Sequence, residues 1–138
     1  MGSIEIKRVY EPRSRGDGER ILVDRLWPRG LRKADAAIDL WIKDIAPTPS
    51  LRTWFDHRAD RFDAFQRRYR EELKSNPAVT EILEAIGNRK ATLLYAAHDE
   101  AINHAVVLAE FLKRAATRGQ RRNKAERSLY RLKTIPSK

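Results

Sequence analysis

The segment Arg20-Ile21-Leu22-Val23-Asp24-Arg25-Leu26-Trp27 constrains the fold more than any other, because its apolar centre is continuous where a half-exposed strand would alternate. Such a run suits a strand covered on both faces, and a strand so placed needs layers on either side of its sheet. Pro28-Arg29-Gly30 ends it. A second apolar segment, Ala91 to Ala97, reads as another buried strand. After the polar loop His98-Asp99-Glu100 it leads into a helix over about 101–116 that carries Val106, Val107, Leu108, Phe111 and Leu112. Strand, tight loop and helix in that order make half of a βα unit.

The other segments fill in the same picture. Ile4 to Tyr10 alternates apolar and polar residues with period two and reads as a strand with one face on a core. Pro12 to Glu19 holds Ser14, Gly16, Asp17 and Gly18, the composition of an exposed loop. Residues 34–45 have apolar positions at helical spacing, yet their β-branched content leaves a strand open. Thr48 or Ser50 caps a short helix with Leu51, Trp54 and Phe55. Helices follow at about 60–74, through Phe62, Phe65, Tyr69 and Leu73, and at 77–87, between Pro77 and Gly87. The expected fold is α/β: a small, mainly parallel sheet of three to four strands flanked by helices, with a basic C-terminal extension.

The 138 residues carry 29 basic and 19 acidic side chains, a net charge of +10 that points to an anionic partner such as nucleic acid. The charge is unevenly placed. Residues 113–138 hold ten Lys or Arg against the single acid Glu126, so that segment is +9 and residues 1–112 are +1. Thr117-Arg118-Gly119-Gln120 marks a boundary, with Gly119 as a helix cap. One domain is therefore expected over 1–117. Residues 118–138, with Leu129, Leu132 and Ile135 as their large aliphatics, read as a docked helix or a basic arm. There is no cysteine, which removes disulfides, thiolate chemistry and cysteine-based metal sites. No apolar run approaches the ~20 residues of a membrane span, and Met1-Gly2-Ser3-Ile4-Glu5 does not read as a signal peptide, so a cytoplasmic location without membrane contact is expected.

Two constellations have the composition of a site. In Asp24-Arg25-Leu26-Trp27-Pro28-Arg29-Gly30, two guanidinium groups and a carboxylate stand at a strand exit; arginine's rigid fork of donors matches carboxylate or phosphate. Arg8 and Arg20 on the neighbouring strands join it if they share a face. Packing accounts for the same residues if Asp24 pairs with Arg20 or Arg25 and Trp27 fills the core. The second constellation is Tyr95-Ala96-Ala97-His98 with Asn103-His104. A helix beginning near residue 100 places Asn103 and His104 in its first turn, beside unpaired N–H groups that favour anions. His104 is the candidate general acid or base and Asn103 orients it or a ligand, whereas the plain alternative is a histidine bonded to a neighbouring loop and Asp99 as an ordinary cap. The three histidines, His57, His98 and His104, lack the spacing that puts two ligands on one helix face, and neither a dinucleotide-binding glycine motif, a P-loop nor a nucleophile elbow is present. No metal and no cofactor is expected.

The strings Lys7-Arg8-Val9-Tyr10, Val23-Asp24-Arg25-Leu26-Trp27-Pro28-Arg29-Gly30, Leu51-Arg52-x-Trp54-Phe55, Phe65-x-x-x-Tyr69-x-x-Glu72-Leu73 and Thr92-Leu93-Leu94-Tyr95-Ala96-Ala97, with Asn103-His104-Ala105-x-x-Leu108, resemble the YeaO-like branch of the family called domain of unknown function 488. The resemblance spans about residues 4–114 and implies a small cytosolic α/β protein of bacterial or archaeal type. It implies no particular activity, cofactor or substrate. Three functions follow as expectations. The first is binding of a small anionic ligand, phosphorylated or nucleotide-like, by Arg8, Arg20, Asp24, Arg25, Arg29, Tyr95 and Asn103 with His104. The second is nucleic-acid binding through residues 118–138, and the third a structural or interaction role.

Overall fold

The structure, a computed structural model, describes residues 2–118. The expected basic extension, Arg118 apart, lies outside the described residues. Four strands form one fully parallel sheet: β1 (Ile4–Arg8), β2 (Glu19–Leu22), β3 (Leu40–Trp41) and β4 (Ala91–Tyr95), in the order β1-β4-β2-β3. The last strand in sequence is thus paired on both edges, and Leu93 faces Ile6 on one side and Ile21 on the other. All five β4 residues are buried, as its unbroken apolar run requires.

Side-chain alternation divides the core in two. Ile21, Val23, Leu93 and Tyr95 enter the larger cluster, with the helices α2 (Pro49–Phe55), α3 (Phe62–Lys74), α4 (Ala78–Ile86) and α5 (104–118). Leu22 and Leu94 point the other way and join Val9 under Trp27, Leu31, Ile38 and Trp41, a cover made from the segment around the short helix α1 (Lys33–Ala36). Phe55 and Phe65 stack at 4.2 Å, and the fully buried Tyr69 donates its hydroxyl to the Ile45 carbonyl at 2.6 Å.

Several boundaries differ from the sequence reading. The strand expected through Trp27 ends at Leu22, although the Val23 N–H still bonds the Leu94 carbonyl. The next donor along β4, the Ala96 N–H, is taken by the Asp24 carboxylate at 3.0 Å, and this ends the backbone ladder. Residues 34–45 are neither one helix nor one strand. The left-handed Ala37 (φ 49°) separates α1 from β3, and a 3-10 turn follows at Lys43–Ile45. Of the two proposed caps for α2, Thr48 acts: its hydroxyl accepts from the Leu51 N–H and also donates to Glu72, tying α2 to α3. α5 begins at 104, later than expected.

At the amino end of the sheet a buried charge network holds the loop that enters β2. Asp17 accepts from the Ser14 N–H and hydroxyl, from Lys7 at 3.1 Å and from Arg20 at 2.6 Å. Arg20 is 1% exposed and also donates to the Ala36 and Ala37 carbonyls. Gly18 (φ 65°) makes this approach feasible, because a β-carbon there would stand 2.2 Å from the Lys90 carbonyl oxygen. Burial pushes the Asp17 carboxyl up, but the Ser14, Arg20 and Lys7 donors outweigh it and hold the group far below the usual carboxylate range. A carboxyl depressed in the folded state contributes stability that is complete above its unfolded value, about 3.9, and is lost as the pH falls below it.

Two outcomes follow. Arg20→Ala leaves a buried carboxylate short of its main partner and should lower the unfolding free energy by about 3 kcal/mol or more in urea titrations; an unchanged midpoint would contradict the network. The stability advantage of the native protein over Asp17→Asn should shrink from pH 6 to about pH 2.5.

Candidate functional site

Parallel strands place their carboxyl ends on one edge, where ligands of α/β sheets bind. Here that edge opens into a cleft of about 600 Å³. Asp24 to Arg29, leaving β2, form one wall; Ala46 and Pro47, after β3, form a second; Ala96 to Asp99, after β4, form a third. Asn103 and His104 close the cleft at the start of α5, and Arg52, Phe55, His57 and Phe65 come from α2, the turn after it and α3.

Asp24 is the hub of these walls. One carboxylate oxygen accepts from the Ala96 N–H, and its backbone carbonyl accepts from the Trp41 indole at 2.7 Å. The other oxygen is buried, makes no hydrogen bond and lies 3.1 Å from Nε2 of His104. The same Nε2 is 3.1 Å from the Val23 carbonyl. A carbonyl oxygen can only accept, so neutral His104 carries its proton on Nε2, toward Val23, and leaves Nδ1 as an acceptor. Asp24 pairs with neither Arg20 nor Arg25.

Arg25 is braced by the Ala46 and Pro47 carbonyls at 3.1 and 3.2 Å, with its Nε buried and unpartnered. Arg29 is exposed at the rim, and its backbone carbonyl accepts from the Tyr10 hydroxyl. Asn103 is 1% exposed and engaged at both ends: its oxygen caps α5 by accepting from the Val106 N–H, and its amide donates to the Asp99 carbonyl. Asp99 is therefore not the helix cap. Its carboxylate accepts from the Ala101 and Ile102 N–H groups, and the Ile102 and Ala101 bonds hold it below the usual range.

The cleft thus gathers Asp24, Arg25, Arg29, Asn103 and His104 from the two sequence constellations, and it leaves out three other candidates. Arg20 stands at the amino end of β2, bound to Asp17. Tyr95 alternates into the larger core cluster, where burial raises its phenol pKa. Arg8 is not a wall residue; it donates to the carbonyls of Ala96 and Ala97 and so steadies the chain leaving β4. The sequence reading places neither Arg52 nor His57 in the site: the signal for Arg52 is the Leu51-Arg52-x-Trp54-Phe55 string, and His57 is weighed only as a metal ligand. Among the described residues no three His, Asp or Glu side chains converge as metal ligands, and no helix is long and apolar enough to cross a membrane.

Comparison with known proteins fixes the family. Residues 3–131 match the family model described as the inactive DUF488-N3 subclade. An uncharacterized protein of Mycobacterium tuberculosis is 43% identical over 109 residues, which is 79% of this chain and 92% of that protein. The uncharacterized protein YeaO of Escherichia coli is 43% identical over 112 residues, 80% of this chain and 97% of its own length. The chain belongs to the DUF488 family, in its YeaO-like branch. The family match continues past residue 117 into the basic segment, beyond the stretch over which the sequence resemblance was recognised. No solved structure matches the chain.

The Asp24 geometry has a direct test. Asp24→Asn sets an amide donor or a weaker acceptor against the Nε2 proton of His104 and should lower stability by about 1–3 kcal/mol. Long-range ¹⁵N spectra should find neutral His104 protonated on Nε2 in the native protein, with that preference weakened in the variant; a native Nδ1–H tautomer would refute the arrangement.

Proposed function

We propose that the cleft of this family member binds a small anionic ligand, a phosphorylated group carried on a flat apolar body as in a nucleotide, and that it does so without a covalent step. The observation that carries this reading is the gathering of Arg25, Arg29 and Arg52 with all three of the chain's histidines around one space at the carboxyl edge of the sheet. Arg29 and Arg52 engage no side chain among the described residues, so their donors are free for a ligand. Arg25, fixed on two carbonyls, sets the field of the wall rather than swinging to the ligand. Leu26 and Trp27, over the buried Pro28, Phe55 and Phe65, supply an apolar wall for the body of the ligand.

Binding without a covalent step is favoured by what lines the space. No Ser, Thr, Cys, Lys or Tyr is among the wall residues, Asp24 and Asp99 each have an oxygen held by backbone N–H groups, and the remaining nucleophilic side chains, His57 and His98, have no hydrogen-bonded acid or base among the described residues to activate them. The word "inactive" in the description of the matching subclade agrees with this. His104, proposed from sequence as an acid or base, serves here as a fixed polar wall, held by Val23 and Asp24.

Isothermal titration with inorganic phosphate and adenosine 5′-monophosphate tests the reading. Arg29→Ala and Arg52→Ala should each weaken binding about tenfold, the scale of a lost charge-assisted hydrogen bond, with little change in melting temperature. A native protein that binds neither probe at millimolar concentration would sink it.

The segment 113–138, at +9, supports nucleic-acid binding as a second reading. Replacing Arg121, Arg122 and Lys124 by Gln in the full chain should then weaken binding to duplex DNA and flatten its salt dependence; equal binding by native and substituted chains would remove this reading.

A further inference from the structure

The chain leaves α2 through a turn whose conformation its own sequence disfavours. The Arg58 N–H donates to the Phe55 carbonyl at 3.0 Å, and between them Asp56 (φ 48°) and His57 (φ 53°) are both left-handed. Two positive φ values in succession define the primed class of tight turn, which Asn-Gly or Asp-Gly normally supplies because the second position strongly favours glycine. Among the described residues, only Ala37, Asp56 and His57 combine a side chain with a positive φ. The first two have structural reasons. Ala37 turns its carbonyl to the buried Arg20 at 2.8 Å, and Asp56 caps α2, its N–H donating to the Arg52 carbonyl. His57 has none: its ring makes no hydrogen bond or ion pair among the described residues, is exposed, and has one aromatic neighbour, Phe55, at 6.0 Å. What distinguishes it is that the turn sets it among the residues lining the cleft, with Arg52, His98 and His104.

Backbone strain that no packing contact repays points to a ligand contact. We propose that His57 is a ligand-contacting residue that forms, with Arg52, the seat of a phosphomonoester's phosphate group. The inference rests on the anion-binding reading of the cleft and names its ligand class. Either anion can take donors from two side chains, but a terminal phosphate offers three oxygens and close to two negative charges, so a guanidinium fork together with a separate imidazole donor favours it over a carboxylate. Phe55, 6.0 Å from the His57 ring, backs this seat, and the exposed Leu26 with Trp27 in the same cleft takes the organic body.

A substitution that should raise stability while lowering affinity separates this role from a structural one. In the full chain, His57→Gly places the residue that the turn prefers and should raise the melting temperature by a degree or two, while its affinity for phenyl phosphate falls at least tenfold. His57→Asn, which tolerates the left-handed backbone but lacks the ring, should lose affinity with a smaller change in melting temperature. The native protein should bind phenyl phosphate at least tenfold more tightly than benzoate. Unchanged phenyl phosphate affinity in His57→Gly overturns the inference, and so does a variant that loses stability and affinity together, because the ring would then be part of the scaffold. Equal native affinity for benzoate overturns the phosphate assignment. If the native protein binds neither phosphate, adenosine 5′-monophosphate nor phenyl phosphate, the anion-binding reading itself falls.

Discussion

The Asp24 carboxylate is the contact on which the carboxyl edge of the sheet depends. Parallel strands share hydrogen bonds along their length, but beyond their ends nothing in the ladder fixes how the departing loops diverge. Asp24 supplies that constraint by taking the Ala96 N–H after β4, placing its carbonyl on the indole of Trp41 in β3, and setting its other oxygen against His104 in the first turn of α5. Arg8 completes the bracing from β1 through the Ala96 and Ala97 carbonyls. Three strand exits and one helix start are thereby held in register around an open space. A buried carboxylate is tolerated there because a backbone donor and an imidazole N–H face it.

The sheet was largely legible in the sequence, since period-two and continuous apolar runs report burial directly. Two features hid the rest. Beyond Val23 the run continues in hydrophobicity, but Asp24 diverts the backbone bonding that would have continued the strand, and no apolar pattern records where a side chain takes over a ladder donor. In residues 34–45, three short elements are separated by a left-handed alanine whose cause is a guanidinium 17 residues earlier in the chain. Local propensity contains nothing of that contact.

The site divides along the same line. Asp24, Arg25 and Arg29 were found because a strand exit is a local event, and Asn103 and His104 because a helix start is one. Arg20 and Tyr95 were drawn in by closeness in sequence, yet along a strand a residue's distance from the exit and its parity decide its face: Arg20 lies at the amino end, and Tyr95 alternates into the core. Arg52 and His57 reach the cleft only through the packing of α2 on α3, by Phe55 on Phe65 and Thr48 on Glu72. Asp-His is no recognised turn dipeptide, so the turn that presents His57 was also silent.

Net charge is a poor guide to this cleft, and the reason is how each charge is committed. The wall contains three arginines and two aspartates, a balance close to that of the +1 body. One oxygen of Asp24 and one of Asp99, however, are held by backbone N–H groups within the walls, and Arg25 is fixed on two carbonyls. Arg29 and Arg52 line the same space and make no ion pair among the described residues, in a concavity whose apolar sides of Trp27, Phe55 and Phe65 lower the local dielectric and concentrate the field. A nearly neutral body thus gathers three arginines and two aspartates around one cleft, and the anion binding proposed for it would depend on the internal hydrogen bonds that hold its own acids.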